Sequence, residues 1–189
     1  MRALIYSLMA GFLLFSGCET KTFQYLTGMK RDLDFTVNET GAFEDSTTIF
    51  AADINDELDL PADAVIRNVF VESFSYSIEE LEGNVATAAK LDGYVRSAGS
   101  STRTEFVSDA PLSLVMTADD YLKLAGLVSD GVVNIRETLE DFMLTGDPAF
   151  LVFIIEGNTD PNPGERIHVR IRIRVSFSVA YDVETEFLR

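Results

Sequence analysis

Arg166 to Tyr181 reads RIHVRIRIRVSFSVAY, and this stretch decides the fold. Ile167, Val169, Ile171, Ile173, Val175, Phe177 and Val179 take every second position. Arg166, His168, Arg170, Arg172, Arg174, Ser176 and Ser178 fill the positions between. Successive side chains of a strand point to opposite faces, so this is a β-strand with one buried and one wetter face. At ~3.4 Å per residue it could run on the order of 50 Å, long enough to bend or bulge.

The pattern continues outward. Ala149 to Ile155 is continuously apolar, as in a strand covered on both faces. The loop Gly157–Gly164, rich in Asn, Asp and Pro, separates it from the last strand. The expected arrangement is a hairpin, with Glu156 opposite Glu165, Phe153 beside His168 and Leu151 beside Arg170. The arginine face would then be matched by acids of the helices, Asp119, Asp120, Glu137, Glu140 and Asp141. Binding of an anionic ligand or an acidic partner surface by Arg170, Arg172 and Arg174 is the functional alternative.

Further strands are read at Leu33–Val37, Thr47–Ala52, Val65–Ile78, Val85–Val95, Thr102–Val107 and Leu112–Met116. In Val65–Ile78, Phe70, Phe74, Tyr76 and Ile78 are expected on one face, opposite Ser73, Ser75 and Ser77. Ile54–Asp63 reads as an acidic connection. Tyr121, Leu124, Ala125 and Val128 recur at helical spacing behind a capping-box-like Thr117 and Asp120. Val132, Ile135, Leu139, Phe142 and Met143 form a second apolar stripe, closed by Gly146-Asp147-Pro148. The expected fold is mainly β: an antiparallel β-sandwich with one or two short helices inserted around 118–144.

The chain of 189 residues carries a net charge of −16, and its first 17 residues remove one base and no acid. An excess of acid excludes nucleic acid as a partner, because that binding needs Lys and Arg against phosphates. It also disfavours adsorption to anionic lipid, leaving solubility as the plain reason for the charge.

The other end of the chain gives an address. Arg2 is a positive n-region, Ala3–Phe15 is apolar except for Ser7, and Ser16, Gly17 and Cys18 follow. This is the form of a secretory signal peptide. Its close resembles the lipobox of bacterial lipoproteins over residues 1–18. The resemblance implies cleavage before Cys18, its lipidation, and a membrane anchored N-terminus. Glu19, where an aspartate would favour inner-membrane retention, implies the outer membrane of the bacterial cell envelope. An ordinary cleaved signal with an incidental cysteine is the competing reading; an uncleaved span would need ~20 apolar residues. Because Cys18 is the lone cysteine, no disulfide pair accounts for it. The expected organisation is residues 1–17 as signal peptide, 18–30 as lipidated N-terminus and tether, and 31–189 as a single β-sandwich domain.

Catalytic signatures are sparse. His168 is the single histidine, which excludes a multi-histidine metal site and Cys–His catalysis in the mature chain. It sits among arginines on a strand, where a sheet-face role is the plain reading. No Gly-rich phosphate loop is present. Calcium is the one cofactor the residues admit: Asp160, Asn162 and Glu165 bracket a Pro-Gly turn, with Asp53, Asn55, Asp56, Glu57 and Asp59 as a second cluster. Neither reproduces a twelve-residue calcium loop, and a solvated turn is the plain alternative.

These features lead to an expected function. It is a lipid-anchored cell-envelope protein, not an enzyme, with a binding, adhesion or structural role. Its partners would be the membrane, through the lipid, and an envelope or extracellular protein or glycan. A carbohydrate-active hydrolase or carbohydrate-binding module on the same anchor is the alternative. With no Trp in the chain, Tyr25, Tyr94 and Tyr121 would have to stack on a sugar.

Overall fold

The computed structural model describes residues 19–115, 120–145 and 150–187. In chain order the elements are β1 (Glu19–Thr40), β2 (Ala42–Phe50), α1 (Ala51–Leu58), β3 (Val65–Glu80) and β4 (Ala88–Ser97). They continue with β5 (Thr104–Ser113), β6 (Leu122–Lys123), α2 (Ser129–Thr145), β7 (Phe150–Thr159) and β8 (Arg166–Phe187). Two four-stranded sheets form, ordered β1-β8-β3-β6 and β2-β7-β4-β5, and every pairing is antiparallel. This mainly β sandwich has the strand order of a jelly roll.

The alternation of β8 becomes the spine of the core. Its seven apolar residues from Ile167 to Val179 are at most 3% exposed. They share a face with Leu33, Phe35 and Val37 of β1, because directly opposed residues point the same way. Leu151, Phe153 and Ile155 of β7 close the core from the other sheet. Phe106 of β5 joins the layers, its ring 5.5 Å from Phe74 and 5.8 Å from Phe153 between centroids.

Several expectations are corrected. Strands β7 and β8 form no hairpin: the chain crosses between sheets after Thr159, so β7 pairs with β2 and β4 while β8 pairs with β1 and β3. The stretch 19–30, expected as tether, is strand, paired residue by residue with β8 from Glu19↔Phe187 onward. The chain turns at Gly41 (φ 84°), where it leaves one sheet for the other. Along β2, Asp45 accepts a hydrogen bond from the Thr36 amide at 2.7 Å, which occupies part of the open edge of β1.

Ile54–Asp63, expected as a connection, begins as helix α1, whose Ile54 and Leu58 turn inward one helical turn apart. In β3 a register shift between Val71 and Ser73 inverts the alternation. Phe70 is therefore exposed while Val69, Phe74, Tyr76 and Ile78 are buried. The two strands expected at 102–107 and 112–116 are one, β5, which accommodates Asp109 at φ 50°.

Of the two helices expected around 118–144, the second is α2, burying Ile135, Leu139, Phe142 and Met143. The first is absent at 121–128. There the chain is extended: Leu122-Lys123 pairs with β3, and the Ser108 amide bonds the Gly126 carbonyl at 2.8 Å. Gly126 has φ 69°, which a right-handed helix does not allow. Thr117 of the expected cap lies outside the described residues, as does Asp119. Helix α2 lies directly on β5 because Gly131 has no side chain; a Cβ there would stand 1.9 Å from the Glu105 carbonyl oxygen.

Candidate functional site

The outer face of the β1-β8-β3 sheet carries the arginines of β8, and the register decides their partners. Asp32 and Asp34 of β1 stand directly opposite Arg174 and Arg172, and Glu79 of β3 opposite Arg170. Arg170 pairs with Glu79 at 2.5 Å and Arg172 with Asp34 at 2.9 Å. Arg174 grips Asp32 with two bonds, 2.7 and 2.9 Å. Charge matching is thus internal, and strand acids rather than helix acids supply it.

Tyr121, on the segment leading into β6, completes the arrangement. The Arg174 guanidinium lies 3.7 Å from the Tyr121 ring centroid and donates to the phenol oxygen at 2.9 Å. That hydroxyl donates to Asp32 at 3.1 Å. The Arg174 bonds hold the Asp32 carboxyl below its ordinary pKa, against a smaller opposite effect of burial, and the Tyr121 bond assists.

Beside this trio the sheet is nearly bare. Gly28, Ser73, Ser75 and Ser176 leave an open groove of about 710 Å³, flanked by Lys30, Glu72, Arg174 and Tyr121. Its surface offers hydroxyls, one aromatic ring and charges of both signs. Such a surface suits a polar, uncharged ligand able to exchange hydrogen bonds with serine.

A second groove of about 510 Å³ crosses the outer face of the other sheet and is acidic. Glu44 of β2 stands opposite Glu156 of β7, which stands opposite Asp92 of β4. A cross-strand row of like charges is unfavourable, and Arg103 relieves it by bridging Glu44 and Glu156. Burial, followed by the Asp92, Glu105 and Glu156 charges, pushes the Tyr94 phenol above its ordinary pKa. The sequence contains each of these acids at alternating strand positions. Their row appears only when the strand order is known.

The remaining candidates are placed as follows. Cys18 lies outside the described residues. In the calcium candidate, the Asn162 amide donates to Glu165 at 2.8 Å and Thr159 donates to the Asn162 carbonyl at 2.9 Å. An amide N–H thus faces the Glu165 oxygen that a cation would need. Among the described residues, no three His, Cys, Asp or Glu side chains gather into a metal-binding group. Of the second acidic cluster, Asp53 and Glu57 lie on α1 and hold Arg31. The His168 ring nitrogen Nδ1 is 2.7 Å from the Glu82 carbonyl oxygen, tying the ring to the β3–β4 loop. Tyr25 stacks on Tyr181, with centroids 5.6 Å apart.

No protein-family model matches the sequence, and no curated protein matches it. Among solved structures the chain is similar to Desmodium yellow mottle tymovirus, with 8% identity, 92% of each chain covered and a TM-score of 0.29. It is similar to the decameric BFDV capsid protein, with 9% identity, 84% of this chain and 99% of that one covered, and a TM-score of 0.38. It is also similar to a carbohydrate-binding module of the β-sandwich superfamily, with 12% identity, 92% and 58% covered, and a TM-score of 0.29.

Proposed function

We propose that this is a lipid-anchored protein of the bacterial cell envelope, held at the outer membrane through Cys18, with a non-enzymatic binding, adhesion or structural role. The observation that carries the reading is the run from Arg2 to Cys18, a charged start, an apolar segment and a small-residue pair before the lone cysteine. Two or more acyl chains on that cysteine give stable attachment where one is marginal. Strand β1 begins at Glu19, so the domain would start directly at the anchor. A non-enzymatic role is supported by the engagement of the polar side chains, since the arginines of β8 and the His168 ring are bound to neighbouring protein groups. Labelled palmitate should enter the wild-type protein in a bacterial host and fail to enter Cys18→Ser. Equal labelling of the two would refute the anchor.

One observation favours a second reading, a carbohydrate-binding module on the same anchor. The groove over Ser73, Ser75 and Ser176, with Tyr121 at its side, offers the hydroxyls and the ring that a neutral sugar chain uses. A glycan array probed with the protein tests it; absence of any bound glycan retires it.

A further inference from the structure

The outer face of the β1-β8-β3 sheet pairs most of its charges across the strands. Arg67 holds Asp182, and Arg170, Arg172 and Arg174 hold Glu79, Asp34 and Asp32. Lys30 and Glu72 differ. Both line the groove, and neither side chain has an ion pair or hydrogen bond among the described residues. Lys30 stands opposite Ser176 of β8, which stands opposite Ser73 of β3. Glu72 is the residue left over by the register shift beside Ser73. A free cation and a free anion thus flank the groove on strands whose backbones lie about 10 Å apart, at ~4.8 Å per strand spacing. Between them the Ser73, Ser75 and Ser176 hydroxyls also lack a protein partner among the described residues. One row further along, Gly28, Ser178 and Phe70 are opposed; Ser178 is buried and Phe70 is 47% exposed.

Two unmet charges of opposite sign, with unmet hydroxyls between them, describe a ligand. An ion of either sign would meet one of these charges and be repelled by the other, and a neutral sugar would meet neither. We infer that the groove binds a short peptide with free termini, lying across β1, β8 and β3 with its carboxylate at Lys30 and its ammonium at Glu72. Such a peptide is neutral overall, as the lining is: Arg174 is matched by Asp32, and Lys123 of β6, opposite Ser75, lies outside the lining. About three extended residues, at ~3.3 Å each, span the distance between the two walls. Their N–H and C=O groups offer the serine hydroxyls both donors and acceptors. Tyr121 at one end and Phe70 at the other present rings to the peptide side chains. The inference rests on the binding role proposed above, for which it names a ligand, and is independent of the anchor.

The test is a titration of trialanine into isotope-labelled full-length protein in a polyoxyethylene detergent, read from backbone amide shifts. The amides of Gly28, Ser73 and Ser176 should shift saturably. Acetyl-trialanine and trialanine amide should each bind about fivefold more weakly, the most that one exposed ion pair contributes. In Lys30→Gln the free acid and the amide should bind alike, and in Glu72→Gln the free and acetylated peptides should. Both side chains are exposed and unpaired, so both variants keep the fold. Equal binding of free and blocked peptides by the wild type overturns the inference. Glycerophosphoethanolamine binding as tightly as trialanine would make the ligand a lipid headgroup and also overturns it. Binding of maltotriose in place of trialanine, insensitive to both substitutions, overturns the peptide and leaves the binding role standing. No shift with any probe overturns the peptide and the groove's binding role together, and palmitate labelling at Cys18 judges the anchor separately.

Discussion

Asp32 and Arg174 stand directly opposite each other on β1 and β8, joined by hydrogen bonds of 2.7 and 2.9 Å. Tyr121 closes the third side, bonded to both. Arg172 lies at the margin of this group: its one close bond is to the more exposed Asp34, and it stands 3.9 Å from Asp32.

Arg174→Ala should therefore cost about 1–2 kcal/mol, since it leaves a charged acceptor without its paired donor. Arg172→Ala should cost below ~1 kcal/mol, the usual contribution of an exposed pair. Urea unfolding of both variants measures the difference, and equal losses would remove the special standing of the trio.

The same trio has a pH signature. Asp32 is held below its usual value near 3.8, first by the Arg174 hydrogen bond. A lowered folded-state value means that the stabilisation is fully present above the unfolded pKa and fades as pH falls through the folded one. The stability gap between wild type and Asp32→Asn should be widest near neutrality and shrink below about pH 4. Unfolding at a series of pH values checks this; a gap that widens in acid contradicts it.

Phe106→Ala should cost about 3–5 kcal/mol, because the fully buried ring touches Phe74 across the sandwich and Phe153 within its own sheet. A loss under ~1 kcal/mol would mean that the two sheets do not meet there.

Gly131→Ala tests the seating of α2. A methyl group 1.9 Å from the Glu105 carbonyl must push helix and strand apart, at a cost of about 2 kcal/mol or more. An unchanged melting temperature would contradict the packing.

The sequence made the strand positions far more legible than their partners. From Ile167 to Val179 the alternation identifies the core-facing residues, because period-two burial is a local property, although Ser178 on the other face is buried as well. Pairing is non-local, so β7 and β8 look like a hairpin by proximity although the jelly roll sends them to different sheets. Phe70 misleads for a different reason: the register shift before Ser73 is invisible in side-chain order. Tyr121, Leu124 and Val128 match helical spacing, yet hydrogen bonds from Leu124 to Phe74 and from Val128 to Phe106 hold the segment extended. At the site, Arg170, Arg172, Arg174 and Tyr121 were legible as residues. Their acids on β1 and β3, and the groove beside them, depend on register and were not.

The central claim, a domain anchored through Cys18, is tested most directly by mass spectrometry of the tryptic N-terminus from the membrane fraction. Trypsin cuts after Arg2 and Lys21. The account predicts a peptide from Cys18 to Lys21 carrying a diacylglycerol thioether and an N-acyl chain. An unmodified peptide beginning at Cys18, or an intact one running from Ala3 to Lys21, would contradict it.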